Sequence, residues 1–528
     1  MIAVSEGAMG LDQADARRGY LRGLLVFAIA ATGSFLFLRA HWFSLYDDAY
    51  IHMRYASNVL QGCGLRWNCG DARVEGFSSP AYLALSILFR LLSPDAETAS
   101  QVLGWLLVSS AIAASALAVP RMLPNLSPKL AGAAALVVAG IMAFDHELTL
   151  NSVIGMDSPL GMLAGALVLN AAFAPDRRWL RAALGLAVLV RIELVLFVVL
   201  LPVLKPARRF AYYLPLLIFL ASLELGRWLL FHDLVPNTYW AKSGGLAGHT
   251  LFGLRYVAAS LARMPLALAA PLALLSRDLD RRATGYFLLV ALVWTLLVVR
   301  AGGDFYPHGR LLVPLVPALT TLGAAGMLRI CLDLGNRLGR GARGAGIAGL
   351  VLVCGAGAIL DWSHRLPSVK GFEEIELWGE IGRWIARYRP HASVATAPIG
   401  AIGYFASRNR IIDILGLTSP EVGRGGRSIP PDKMDENALG HEHYNTEWVL
   451  AQKPDLIVTT HMRGWQPFRD LRDVKAANWA EWQLMLAILE RHQPYQLLNL
   501  RLSNGSYWLM FERIQAAPGG ASQPPAQP

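Results

Sequence analysis

The chain has 528 residues, of which 54% are hydrophobic and 16% charged, with a mean hydropathy of +0.39. A soluble chain carries about 25% charge, so the composition excludes a soluble enzyme, a disordered scaffold and a disulfide-knotted secreted peptide. The net charge of +10 comes from basic residues set largely between apolar runs, such as Lys205-Pro-Ala-Arg208-Arg209, Arg281-Arg282 and Arg337-Leu-Gly-Arg340; this is the pattern of cytoplasmic loops in a membrane protein, and with no RNA- or DNA-reading motif it excludes a nucleic-acid partner.

Residues 1–22 read as a cytoplasmic N-terminal tail, because Arg17, Arg18 and Arg22 precede the first apolar run, Gly23–Leu38. No small-residue cleavage site follows that run, so it reads as a retained span. A first outer loop covers 39–101. Within it, Pro80–Phe89 is too short to cross and suits an interfacial or re-entrant helix. Further apolar runs occupy Val102–Val119, Leu130–Phe144, Pro159–Ala174, Ala182–Val190, Leu194–Leu204, Phe210–Leu223, Tyr256–Ser276, Ala283–Val299, Leu311–Leu328 and Gly344–Leu360. That makes about eleven transmembrane helices, several shorter than the roughly 20 residues a perpendicular span needs. Arg191-Ile-Glu193 separates two of the short runs. The pair reads either as one long helix or as two half-helices broken around a buried ion pair. Placing the most basic loops in the cytoplasm puts Asp145–Ser158, Arg191/Glu193, Phe231–Arg255 and Arg300–Arg310 together on the outer side.

The membrane domain therefore spans 23–362. Residues 363–515 are charged throughout and read as a soluble, extracytoplasmic α/β domain. Its expected helices are Phe372–Arg389 and Glu481–Arg491, and its expected strands Ser393–Ala397, Arg410–Leu415, Asp455–Thr460 and Tyr507–Arg513. Residues 516–528, rich in Pro, Gly, Ala, Gln and Ser, read as a disordered tail.

The first outer loop carries most of the chemistry. It runs Tyr46-Asp47-Asp48-Ala-Tyr50-Ile-His52-Met-Arg54-Tyr55, then Gly62-Cys63-Gly64-Leu-Arg-Trp-Asn68-Cys69-Gly70, then Val74-Glu75-Gly76-Phe77-Ser78-Ser79-Pro80. Asp at a helix start is favoured by the free amides and the helix dipole, so a simple capping role stands beside a functional one. Carboxylates at membrane depth are costly and tend to be functional. Matching polar sets occur in the other outer loops: Asp157, Arg191 with Glu193, Asn237 with Tyr239 and Lys242, and Asp304 with His308 and Arg310. Acids, a lysine, a histidine and arginines at one interface suit a substrate with a lipid tail, a phosphate and a sugar. A carboxylate takes the proton of an attacking hydroxyl, and the cations neutralise the departing phosphate. The same acids around a phosphate are compatible with a divalent cation.

The loop pattern Asp-Asp-Ala-Tyr-Ile…Arg-Tyr-Ala, Gly-x-Gly-Leu-x-x-Asn-x-Gly and Val-Glu-Gly-Phe-Ser-Ser-Pro resembles the bacterial family that contains the terminal arabinofuranosyltransferases of cell-wall assembly, which are GT-C glycosyltransferases. Gly155-Met-Asp157-Ser-Pro-Leu, the Gly302-Gly-Asp-Phe…Gly-Arg-Leu-Leu-Val-Pro loop and Gly400-Ala-Ile-Gly-Tyr404…Ile-Ile-Asp413-Ile-Leu-Gly-Leu417 extend the likeness over most of the chain. The resemblance implies a polytopic inner-membrane enzyme of GT-C type. It would move a hexosyl or pentosyl group from a polyprenyl-phosphate carrier to an envelope glycan or glycolipid, with inversion. Carried over, the expected base is Asp47 or Asp48. We take Asp47 as base, with Asp48 orienting the acceptor or a cation. Arg54, Glu75, Asp157, Arg191, Glu193, Asn237, Tyr239, Lys242, Asp304, His308 and Arg310 are the expected substrate contacts. Arabinose is a label of the family, since members outside the arabinose-using bacteria exist.

The chain departs from the family's loop at Cys63 and Cys69, six apart in a turn-rich outer segment, where thiols oxidise. A disulfide between them is expected. Two other readings remain at this stage: a transporter or flippase for a lipid-linked sugar, and a non-catalytic scaffold on the same fold. A transporter would carry inverted repeats and midplane binding groups. No repeat is visible here, and the polar sets gather at one interface.

Overall fold

The computed structural model describes residues 21–36, 39, 45–174, 179–204, 210–242, 249–304, 306, 309–339, 372–433, 442–470, 478–491 and 493–514. His308, the run Gly344–Leu360, most of the N-terminal tail and the C-terminal tail lie outside the described residues. The chain divides into two compact units. One holds Met1–Gly64, Phe77–Val235 and Leu246–Phe372; the other holds Leu65–Gly76, Pro236–Gly245 and Glu373–Pro528. The sequence division placed 65–76 and 236–245 in the membrane domain. They pack instead with the C-terminal unit, through hydrogen bonds that no local pattern announces.

The first unit is helical. Among the described residues four helices are long and apolar enough to cross a membrane: Ala96–Met122, Tyr213–Phe231, Arg281–Arg300 and Val316–Arg337. Two bent pairs raise the number to six: Pro128–Ala143 with His146–Val153, bent by 62°, and His249–Ala262 with Pro265–Leu275, bent by 104°. Leu21–Leu36, Pro80–Leu92, Ser158–Phe173, Leu180–Val190 and Ile192–Leu204 are shorter apolar helices. Tyr213–Phe231 is largely exposed along its length, and Leu217, Ile218, Leu225, Trp228 and Leu229 point outward. Such an apolar face is a liability in water and the expected surface in lipid.

Close backbone approach organises the interior of this unit. The helix Ala96–Ala116 packs against Ser158–Phe173 and against His146–Val153. A methyl on Gly104 would lie 2.1 Å from the carbonyl oxygen of Ser152, so only glycine lets these two helices meet. The Arg191 region settles the question left open by the sequence. Leu180–Val190 ends at Arg191, which has an extended backbone, and a 3₁₀ turn over Ile192–Val195 follows. The run is broken, not continuous.

The second unit contains a five-stranded sheet of order β2-β1-β5-β7-β6. The strands are β1 (Ser393–Thr396), β2 (Arg410–Asp413), β3 (Arg427–Ser428), β4 (His443–Tyr444), β5 (Leu456–Gly464), β6 (Tyr495–Arg501) and β7 (Tyr507–Arg513). β1 pairs in parallel with β2 and β5, while β7 runs antiparallel to β5 and β6. β3 and β4 form a separate two-stranded ribbon. Leu484, Met485 and Ile488 of the helix Trp479–Glu490 share one core with Ala395, Ile457, Leu509 and Phe511. The helix Phe372–Tyr388 brings Trp378, whose indole N–H donates to the Thr460 carbonyl at 3.1 Å. Sequence reading overlooked β6, a half-buried edge strand whose apolar alternation is weak.

Candidate active site

The site lies in the helical unit, and its charged groups sit where helices start or break. The helix Asp47–Leu60 opens with both acids in its first turn. Its N-cap is Tyr46, so neither aspartate occupies the capping position weighed above. Tyr46 is itself fixed by its backbone N–H, which donates to the Ile154 carbonyl at 3.0 Å.

The loop after Arg281–Arg300 supplies the partners. Gly302 and Gly303 both take positive φ, +88° and +85°, and their amides bond back to the Val299 and Val298 carbonyls. This glycine stop ends the helix and brings Asp304 and Arg310 to the acids of the first loop. Arg310 donates through Nη1 to Asp48 Oδ2 at 3.0 Å, across 262 positions of sequence. Its Nε and Nη2 both go to Asp304, the latter at 3.0 Å. Arg310 also lies 4.6 Å over the Tyr306 ring, and Tyr306 stacks on Tyr46 with centroids 4.1 Å apart. Burial alone would lower the Arg310 guanidinium; Asp304 and Asp48 outweigh it and hold it well above its usual value. Burial, together with Asp48 and Asp47, pushes the Tyr306 phenol up, so Tyr306 stays protonated.

Three further ion pairs complete the cluster. Asp157 is the N-cap of Ser158–Phe173 but makes no capping bond. It faces Arg191 Nη1 at 3.3 Å, and Arg191 Nη2 reaches Glu193 at 2.9 Å. Glu147, in the first turn after the 62° bend, accepts from Arg263 at 3.2 Å. Arg263 occupies the break after His249–Ala262. Glu147 and Asp304 both act electrostatically on Tyr46, as does Arg310. Arg54 is buried, 2% exposed, and burial pushes its guanidinium down to about 9. His52, packed edge-on against Tyr82 at 5.3 Å, is held below its usual value by burial and is neutral at pH 7.

The structure thus gathers Asp47, Asp48, Asp157, Arg191, Glu193, Asp304 and Arg310 of the expected set in one helical unit. Glu75, Asn237, Tyr239 and Lys242 belong to the other unit. There Asn237 is an anchor: its side-chain amide donates to the carbonyls of Gly416 and Leu417 at 2.7 and 2.9 Å, and its backbone N–H to Glu75 at 2.9 Å. Both amide protons are committed to the fold. Glu75 is buried, whereas Tyr239 and Lys242 are exposed. Asp413 of the quoted motif is structural too. It accepts from the backbone amides of Leu415, Gly416 and Thr418 and shapes the turn that receives Asn237. Cys63 and Cys69 are both disulfide-bonded. Among the described residues no group of three or more His, Cys, Asp or Glu is placed to hold a metal ion. Sequence reasoning missed Tyr46, Glu147, Arg263 and Tyr306 as members of the cluster. Glu147 had a signal in the polar triplet Asp145-His-Glu147 that follows an apolar run; Arg263 had none.

Comparison with solved structures decides the architecture. ArnT from Cupriavidus metallidurans, a GT-C glycosyltransferase, bound to undecaprenyl phosphate, aligns with 74% of this chain and 85% of its own, at 14% identity and a TM-score of 0.50. Its apo form aligns with 76% and 87%, at 13% identity and a TM-score of 0.51. The chain has the GT-C fold. It is a multi-pass helical membrane protein. The segment 368–509 matches a family described as a domain of unknown function (DUF8728). No curated protein matches the chain.

Proposed function

We propose that the chain is an inverting glycosyltransferase that moves a sugar from a polyprenyl-phosphate carrier to a glycan or glycolipid acceptor of the envelope, at the outer face of the bacterial inner membrane. The observation that carries the reading is the Asp48–Arg310 bond, which couples the first-loop acids to a cation from a distant loop within a GT-C fold. The bound undecaprenyl phosphate of the Cupriavidus ArnT supports the carrier class.

In the reaction the acceptor hydroxyl attacks the anomeric carbon from the face opposite the phosphate. The anomeric C–O bond breaks, and polyprenyl phosphate leaves with the bonding pair. A carboxylate takes the hydroxyl proton, and guanidinium groups hold the phosphate as its charge grows. We take Asp47 as the base, with Asp48, held by Arg310, orienting the acceptor. Arg310 and Arg191 are the phosphate-facing cations. The C-terminal unit recognises the acceptor.

The test uses the purified full-length protein with a panel of polyprenyl-phosphate sugars and an envelope extract, and reads carrier phosphate released. Asp47→Asn is expected to lower turnover by about 10²- to 10⁴-fold, the scale of a lost general base. Full activity in both Asp47→Asn and Asp48→Asn would refute the assignment.

A further inference from the structure

The two carboxylates on Arg310 are not equivalent. Asp304 takes two of the guanidinium nitrogens and is itself only 9% exposed, while Asp48 takes the remaining edge and is 25% exposed. The ring of Tyr306 covers one face of the same guanidinium. So the Nη1 edge, on the more accessible side, is the edge that exchanges partners most readily. The donor phosphate, a diester between lipid and sugar until the anomeric C–O bond breaks, is an anion that the same planar donors bind as they bind a carboxylate, and the monoester left after transfer occupies the same seat with more charge.

Resting on the transferase reading, we infer that Asp48 is a resident counter-anion that occupies the seat of the donor phosphate. When the sugar-linked lipid phosphate arrives, it displaces Asp48 from Arg310 Nη1, while Asp304 keeps the guanidinium in place. The freed carboxylate then turns to the acceptor hydroxyl. No covalent bond changes in this exchange; one anion replaces another on one cation. The consequence is an order of events. The acceptor-orienting acid is tied up until the donor is seated, so the donor binds first. Asp304 is then a positioning residue, and it acts only through Arg310.

The two aspartates should therefore respond to neutralisation with opposite signs. The measurement is the equilibrium affinity of the full-length protein in lipid nanodiscs for undecaprenyl phosphate, with undecaprenol as the phosphate-free arm. Asp48→Asn removes the competing charge and should bind undecaprenyl phosphate on the order of tenfold more tightly, the scale of one charge-assisted hydrogen bond released to a new partner. Asp304→Asn loosens the guanidinium and should bind it more weakly by a similar factor. Undecaprenol should show neither change. Unfolding midpoints of all three proteins identify any variant that fails to fold, and Asp48→Glu, which keeps the charge, then stands in with wild-type-like affinity expected. Equal or weaker binding of undecaprenyl phosphate by Asp48→Asn overturns the counter-anion role while leaving the transferase reading intact. Equal gains with undecaprenol overturn it as well, because the gain would then belong to the lipid tail. If the wild-type protein binds no undecaprenyl phosphate at all, the carrier reading itself falls, and this inference with it.

Discussion

At the residue scale, the site depends on a position that carries no chemistry. Gly303 precedes Asp304 with φ at +85°, and a methyl there would lie 2.6 Å from Cβ of Tyr256. An L side chain is disfavoured in that conformation, and the clash meets a ring that is itself buried. Gly303→Ala should therefore shift Asp304 and, through it, Arg310. We expect activity to fall roughly 10- to 100-fold, as misplacement of a catalytic group by about 1 Å does, with the unfolding midpoint lowered only modestly. Turnover and thermal unfolding measured on the same preparation separate the two effects; unchanged turnover would show that the loop tolerates the methyl. The residues themselves were legible from the sequence. Asp48, Asp157, Arg191, Asp304 and Arg310 stood out as charges beside apolar runs. Their partners did not, because a side chain's type says nothing about which side chain it meets.

At the element scale, the sheet of the C-terminal unit is completed by a loop from far upstream. β2 lies at the edge of the five strands, where unpaired main-chain groups invite unwanted pairing. Asn68 covers that edge like the backbone of an added strand. Its amide donates to the Ile411 carbonyl at 2.9 Å and accepts from the Ile411 N–H at 3.0 Å. Asp71 of the same loop pairs with Arg410 at 3.2 Å. Asn68→Ala removes both buried bonds and should cost about 1–3 kcal/mol. Hydrogen exchange at Ile411 is the direct reading: its amide should lose protection in the variant, and retained protection would show that the edge is covered some other way. In this unit the two expected helices and four of the strands lie close to their sequence-based positions, because burial on one face imposes a period that the chain itself displays. β6 was not expected, since an edge strand that is only half buried imposes little pattern.

At the scale of the whole molecule, a helical unit and a charged unit share one chain, and pH acts on the stability of the second. In the C-terminal unit His461 contacts Glu374 at 2.7 Å. Burial would lower the imidazole, but the Glu374 carboxylate outweighs it and raises it above its ordinary 6.5. A raised histidine contributes stability that is fully present below that ordinary value and is lost as pH rises through the raised one. Asp455 runs the other way. Burial would raise it, yet Arg513 and Ser393 hold it below the usual carboxylate value. Its contribution is present above that value and is lost as pH falls through the lowered one. Unfolding of this unit should therefore be most resistant from about pH 5 to 6. The alkaline decline should be small, under about 1 kcal/mol, because the His461–Glu374 pair is partly exposed. His461→Gln should flatten the alkaline side of the profile and leave the acid side unchanged; an unaltered profile would show that the pair contributes nothing.

The sequence by itself determined the class of the protein. Its composition, the length of its apolar runs and the placement of its arginines are sums over neighbouring residues, and the bilayer reads the same sums. The gathering of the charged set was decided by the tertiary structure alone. Asp48 meets Arg310, Asp157 meets Arg191 and Asn237 holds the turn after β2 because helices stop, bend and pack at particular angles. An ion pair or an anchoring amide depends on where two distant stretches arrive in space, and no local period in the chain encodes that arrival.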